Sequence, residues 1–308
     1  MFSRDDSGPH DPSHARWDER IARAGELAAR YPTAADVLSF YAELAEYQKS
    51  LLKKQHGVVA SGFGLPFLEA LDVEPVAEAI PDFLTWLERT APALLAGAVA
   101  DMRRFDQSEW RHLVHSYFTR EDDGGNGDEA IVFVLEAVLQ PFAEHLAIGI
   151  GNSESRMASI SARGAPPPLA AATRLEDSIV AAAAGSARSQ ASCPICGALP
   201  VVGVLREEGQ GAKRTLVCAL CLAERDYLRV VCLACGEQQF DALPIYTAEQ
   251  FAHVRIEACE SCRRYLKTID LTKDGLAVPP VDDIASVSLD LWARERGYVR
   301  LRPNLLRI

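Results

Sequence analysis

Eight cysteines, the full complement of a 308-residue chain, fall into four Cys-x-x-Cys pairs: Cys193/Cys196, Cys218/Cys221, Cys232/Cys235 and Cys259/Cys262. A Cys-x-x-Cys turn points two thiolates at one ion. A second such turn, arriving from a neighbouring hairpin, completes the tetrahedron that Zn²⁺ or a rubredoxin-type iron prefers. Four turns therefore provide for two ions. The intervals assign them: 21 residues separate Cys196 from Cys218, 10 separate Cys221 from Cys232 and 23 separate Cys235 from Cys259. Hairpin-sized gaps then lie within a site and the short gap lies between sites, giving Cys193, Cys196, Cys218 and Cys221 to one ion and Cys232, Cys235, Cys259 and Cys262 to the other. The competing arrangement is a cross-braced one, first turn with third.

Internal echoes point to duplication. Each opening turn ends in Cys-Gly, at Gly197 and Gly236, where glycine can take the positive φ a thiolate turn requires. Each closing turn is followed by Tyr-Leu and a basic residue, at Tyr227-Leu228-Arg229 and Tyr265-Leu266-Lys267. The runs between the turns read as strands, from Val201 to Leu205, Thr215 to Val217 and Val254 to Ile256.

Other uses of the thiols fit less well. Disulfides need an oxidising compartment, and the stretch from Met1 to Arg20 is charged, with no apolar run of signal-peptide length, so reduced thiols and a cytoplasmic location are expected. A thioredoxin-type redox pair would be a single motif opening a helix in a βαβ unit, not four copies in strand-and-turn sequence. Ligand type alone favours zinc, although Cys193-Pro194-Ile195-Cys196-Gly197 is equally a rubredoxin turn. Neither ligand set leaves a coordination position open, so a structural ion is the expectation and hydrolytic metal catalysis is not.

The elements that carry these turns follow from periodicity. Leu38, Tyr41, Leu44, Ala45, Gln48, Leu51 and Leu52 keep helical spacing behind a start at Thr33 to Asp36. Further helices are expected from Val76 to Arg89, Pro92 to Arg104, Gln107 to Phe118 and Asp128 to Ala147, the last kinked at Pro141. A loop is expected from Glu121 to Asp128, and an alanine-rich helix from Thr173 to Ala184. Asp282-Asp283, then Ile284, Val287, Leu291 and Trp292 with Gly297 closing, describe one C-terminal helix whose first-turn acids suit the macrodipole. The fold class expected is α+β: a disordered tail at 1–12, an all-helical domain at 13–150, a linker at 151–190, two tandem rubredoxin-like or zinc-ribbon Cys₄ modules at 191–231 and 232–275, and a C-terminal helix and tail at 276–308.

Charge narrows the function. The chain carries a net −11, and between Cys193 and Asp274 it has 10 Lys and Arg against 11 Asp and Glu, so the ribbons lack the basic face that neutralises phosphates. Nucleic acid is not an expected partner. Membrane insertion is not expected either, since apolar runs such as Ala91 to Ala100 are shorter than the roughly twenty residues of a span. His112 and His115 stand three apart on a predicted helix without a third ligand in view, and they, His145 and His253 are read as surface or packing residues.

The Cys193-to-Gly197 turn, Glu257-Ala258-Cys259-Glu260-Ser261-Cys262 running into Tyr265-Leu266-Lys267, and Asp282-Asp283-Ile284-Ala285-Ser286 with Arg296-Gly297-Tyr298 resemble the FdhE family, the formate dehydrogenase accessory proteins. The helical half is similar too, at Leu139-Gln140-Pro141-Phe142 and in the helix from Tyr41 to Gln48. The stretch from Gly151 to Gln190 departs most. The resemblance implies a cytoplasmic, non-enzymatic maturation factor that binds the catalytic subunit of a molybdenum- or tungsten-dependent formate dehydrogenase, with iron held by the cysteine pairs; all eight cysteines match. A rubredoxin-like electron-transfer protein and a zinc-ribbon nucleic-acid adaptor are the alternatives.

Overall fold

The structure, a computed structural model, describes residues 12–54, 71–119, 128–161 and 191–308. The predicted loop from Glu121 falls outside these residues apart from Asp128, and the predicted helix from Thr173 falls wholly outside them.

Six helices form the first half: α1 (Pro12–Arg30), α2 (Ala35–Lys54), α3 (Val73–Thr90), α4 (Ala93–Met102), α5 (Gln107–Thr119) and α6 (Glu129–Ser161). Periodicity anticipated all but α1. Their starts have local causes. The Asp72 side chain accepts the Glu74 amide at 3.1 Å, and Asp106 and Glu109 cap α5 reciprocally, each carboxylate accepting the other's amide at 2.7 and 2.9 Å. Trp17, Leu27, Leu38, Leu44, Phe83 and Leu135 fill one core among the helices. Phe83 lies 5.6 Å from Trp86 and 5.3 Å from Tyr47, ring centre to ring centre.

Two expectations change at α6. The helix, with Pro141 inside it, runs on to Ser161, so the first eleven residues of the stretch read as linker are helical. Its segment Glu129–Ile150 is also long and apolar enough to cross a membrane by length and composition, longer than any apolar run noted in the sequence. In the structure 83% of that window is buried inside the protein, which makes it the central core helix of the bundle.

The second half is one sheet. It contains β1 (Pro200–Glu208), β2 (Gly211–Cys218), β3 (Glu224–Asp226), β4 (Ile245–Thr247), β5 (Val254–Ala258), β6 (Arg264–Asp270) and β7 (Val299–Arg300). Strands β1, β2 and β3 form an antiparallel meander, and β4, β5 and β6 form a second. The order is β3-β2-β1-β6-β5-β4, with β7 pairing β6. The two modules are therefore fused edge to edge by parallel pairing of β1 with β6, where Gly203 faces Thr268. That approach demands glycine: a Cβ at 203 would lie 2.4 Å from Thr268 Oγ1.

Fusion separates the two Tyr-Leu-basic echoes. Strand β6 lies between β1 and β5, so Tyr265, Leu266 and Lys267 are buried, whereas Leu228 and Arg229 follow edge strand β3 and are exposed. The predicted C-terminal helix is two, α7 (Pro279–Ala285) and α8 (Val287–Glu295). The break falls at Ser286, whose hydroxyl donates back toward the carbonyls of Asp282 at 2.8 Å and Asp283 at 3.1 Å. The break resets the helical phase, leaving Leu291 exposed and burying Leu289 and Ala293.

Candidate metal centre

In each meander one Cys-x-x-Cys turn precedes the first strand and the other links the second strand to the third. Antiparallel pairing of β1 with β2 carries the opening and closing turns of the first module together, and pairing of β4 with β5 does the same in the second. Cys193, Cys196, Cys218 and Cys221 converge with their sulfurs within 4.8 Å of one another, as do Cys232, Cys235, Cys259 and Cys262. The sequential grouping is the one formed.

All four turns share one backbone. The opening amides of Cys193, Cys218, Cys232 and Cys259 donate to the carbonyls of Ala198, Ala223, Glu237 and Arg264 at 2.8 to 3.0 Å. The residue after each second cysteine is left-handed: Gly197 at φ 77°, Leu222 at 53°, Gly236 at 78° and Arg263 at 58°. Glycine announces this in the opening turns only. In the closing turns Leu222 and Arg263 adopt a conformation that costs a non-glycine residue on the order of 1 kcal/mol. Amides of Ala234 and Cys235 point at the Cys232 sulfur, that of Cys262 at Cys259 and that of Arg264 at Cys262. They favour thiolates.

The sulfur spacing fits a tetrahedral ion. Sulfurs about 2.3 Å from a common centre would stand about 3.8 Å apart. Here Cys193 and Cys221 are 3.6 Å apart, Cys196 and Cys218 3.3 Å, Cys232 and Cys262 3.6 Å, and Cys235 and Cys259 3.7 Å. Such a cluster resists full ionisation without a cation. Hydrogen bonding from Cys196 holds Cys193 below the ordinary thiol range, while donation to Cys193 drives Cys221 up. Burial pushes Cys232 up to about 11. A divalent ion would relieve this conflict by neutralising the sulfurs together.

The two clusters differ in setting. Three of the first four cysteines are buried, with Cys196 half-buried, and the cluster joins the helical core. In the second, Cys235 is exposed and Cys262 half-buried.

A residue from outside the ribbon, Gln140 of α6, bonds to the closing turn of the first cluster, and the sequence reading did not assign it this role. Glu136, Gln140 and Glu144 form an i, i+4, i+8 polar stripe on the otherwise apolar α6, and all three are buried. Gln140 donates at 3.2 Å to the carbonyl of Ala219, between the ligands of the closing turn. Glu136 accepts from Arg302 at 2.6 Å and from Tyr117 at 3.0 Å, and Glu144 takes both ends of the Arg20 guanidinium at 2.9 and 2.5 Å. The available signal was that spacing, three buried acceptors on one face of a core helix.

Asp282 and Asp283 take roles beyond the predicted one. Asp282 does serve the start of α7, accepting the Val278 amide at 2.8 Å, but both carboxylates are buried and bind side chains from distant elements. Asp282 accepts from Arg23 at 2.7 and 3.0 Å and lies 2.8 Å from His253 Nε2, so His253 is a buried hydrogen-bonding partner of this carboxylate. His253, Asp274 and Asp282 stand close enough to hold a cation, but the Arg23 guanidinium already bridges the two carboxylates. Asp283 meets Lys267 and Arg300. His112 is exposed with Ser116 Oγ 3.4 Å away, His115 is exposed and His145 is half-buried; among the described residues none joins a ligand cluster.

The FdhE central-domain profile matches residues 192–229 and the FdhE C-terminal-domain profile residues 230–307, one thiol cluster in each. A protein FdhE homologue from Aquifex aeolicus is 27% identical over 300 residues, covering 93% of both chains. Another from Pseudomonas aeruginosa is 28% identical over 330 residues, covering 96% of this chain and 91% of its own. The crystal structure of the FdhE protein from Pseudomonas aeruginosa superposes with a TM-score of 0.65 at 25% identity, across 97% of this chain and 98% of that one. With both profiles matched in order, relatives aligned along nearly the whole length and the fold shared, the chain is similar to FdhE proteins from end to end, in sequence and in fold.

Proposed function

We propose that this protein is a non-enzymatic maturation factor for formate dehydrogenase, acting in the cytoplasm, where thiols stay reduced, and binding the dehydrogenase catalytic subunit. The observation that carries the reading is the combination of two closed four-sulfur clusters with fold-wide similarity to FdhE proteins. All eight cysteines, Cys193, Cys196, Cys218, Cys221, Cys232, Cys235, Cys259 and Cys262, are the proposed ligands. The donor set accepts zinc or iron, and the family resemblance argues for iron.

A bound tetrathiolate ion would cross-link the turns of each meander and, if iron, add a one-electron couple. The chain's own residues do the remaining work. Turn amides stabilise the sulfurs, Gln140 ties the first cluster to α6, and the β1/β6 joint makes the two clusters one rigid surface. One observation favours the electron-transfer reading: Cys235 is exposed, which would bring an iron in the second site close to solvent.

Co-purification of the dehydrogenase catalytic subunit with a tagged copy of this protein, beside formate oxidation in a deletion strain, tests the proposal. The expected result is association together with dehydrogenase polypeptide that is present but inactive when this protein is missing. Full formate oxidation in the deletion strain would overturn it. Elemental analysis and the visible spectrum of the purified protein distinguish iron from zinc.

A further inference from the structure

Exposed apolar side chains gather beside the second cluster. An open groove is lined by Cys232 and Cys259 together with the buried side chains of Leu233, Leu266 and Leu301. Phe240, Ile245 and Val230 line it and are 76%, 52% and 46% exposed. Leu228, 64% exposed, stands alongside, its carbonyl held at 2.8 Å by groove residue Arg214. Large apolar side chains displayed this openly and this close together mark a surface that another molecule covers. They extend past the groove, so a small ligand seated within it would leave them wet. A macromolecular segment would not.

The charge on this surface selects the occupant. Arginines 214, 229 and 264 line the groove with a single carboxylate, Glu257. Glu257 is already taken, accepting from Arg214 and Arg255 at 2.5 Å each. Arg229 and Arg264 are exposed and have no carboxylate within 4.0 Å among the described residues. On a chain of net charge −11 this is a local cationic rim around an apolar centre, the arrangement that steers and orients an acidic partner. A second copy docking patch to patch would set unpaired arginines against their equals and offer them no free groove carboxylate.

We infer that this groove is the docking site for an apolar segment bearing carboxylates on the client protein. Resting on the maturation-factor reading, the client is the formate dehydrogenase catalytic subunit. The segment would lay apolar side chains over Phe240 and Ile245 and place its carboxylates against Arg229 and Arg264, immediately beside the second thiol cluster.

The test uses the full-length, metal-loaded protein and the purified catalytic subunit. Phe240→Ser with Ile245→Ser removes exposed apolar surface only, and Arg229→Glu reverses one exposed charge. Each is expected to weaken binding about tenfold or more, as loss of an interface anchor does, with melting and metal content unchanged. Leu276→Ser, at an 80% exposed leucine outside the groove, serves as control and should bind like wild type. A photo-crosslinker at position 240 should join an acidic, apolar peptide of the catalytic subunit. If the wild-type protein binds but the groove variants bind equally well, the docking assignment is wrong and the functional reading survives. If the wild-type protein does not bind at all, the functional reading falls and takes this client with it. Crosslinks between two copies of this chain would replace the assignment with self-association.

Discussion

Replacing Lys267 by Met should be among the most destabilising single changes in the ribbon half. Lys267 is fully buried, and its ammonium donates to Asp290 Oδ2 at 2.5 Å, the Asp283 carbonyl at 2.6 Å and Ser286 Oγ at 3.2 Å. Arg300 completes the group, 2.6 Å from Asp283 and 3.0 Å from Asp290, so two buried cations balance two buried carboxylates. Met fills most of the lysine stem's volume but leaves one carboxylate uncompensated. Removing one partner of a buried ion pair costs about 3–5 kcal/mol, a large share of the roughly 5–15 kcal/mol that stabilises a domain. With an unfolding entropy of about 2.1 cal/mol/K per residue, 308 residues give roughly 0.65 kcal/mol/K, and the melting midpoint should fall by about 5–8 °C.

Calorimetry across pH sharpens this test. Burial opposes ionisation of Asp283, but Arg300 and Lys267 outweigh it and hold the carboxyl below the usual range. Its folded pKa is therefore depressed, and its contribution, present above the unfolded value near 3.8, is lost as pH falls through the folded value. In the Met variant the orphaned carboxylate can take up a proton, which favours the folded state at acid pH. The gap between the two proteins should narrow toward pH 4. Adding Asp290→Asn restores charge balance while keeping an acceptor for Tyr265 and Arg300, and should recover part of the loss, a coupling of roughly 0.5–3 kcal/mol. A Lys267→Met midpoint within about 1 °C of wild type at pH 7 would refute the ion-balance argument, because the predicted shift is several times larger.

Cys193→Ser with Cys196→Ser should leave one ion per chain by elemental analysis; two ions would mean the ligand grouping is wrong. In the intact metal-loaded protein a chelator should strip the second site first, since Cys235 is exposed and three ligands of the first site are buried, and stopped-flow with a metal-sensitive dye reads the order. Gly203→Ala forces a methyl against Thr268 and should lower stability by about 1–3 kcal/mol in urea, with Thr268→Ala relieving much of the loss; additive effects would show that the β1/β6 joint is not so tightly packed. Arg302→Met, which leaves buried Glu136 with only the Tyr117 hydroxyl and Arg307 at 3.6 Å, should cost about 1.5–3 kcal/mol, whereas Tyr117→Phe, which loses the hydrogen bonds to Glu136 and from Arg302, should cost about 1–2 kcal/mol; equal losses would show that the charge of Arg302 is not what matters.

Local chemistry was legible in the chain itself. Cysteine spacing separated the ligands into two sets because a Cys-x-x-Cys turn is closed by its own backbone, and the interval between turns measures the hairpin that must return one to the other. Helices α2 to α5 were legible from their patterning, whose causes lie within a few residues. What sequence left open depended on partners far along the chain. That the two meanders fuse into one sheet was decided by a glycine meeting a threonine 65 positions later, a contact no period encodes. The same separation hid the roles of Asp282, Asp283 and Lys267. A buried charge reads like a surface one until its counter-ion is in place, and here Arg23 comes from the first helix and Arg300 from the last strand. Residues 129–150 read alike as a core helix or a membrane span, and only the packing of the other elements around them decided which. The sequence alone determined which atoms can hold the metals; the tertiary structure decided which cluster is sealed into the core and which opens onto a groove, because burial belongs to the assembled fold.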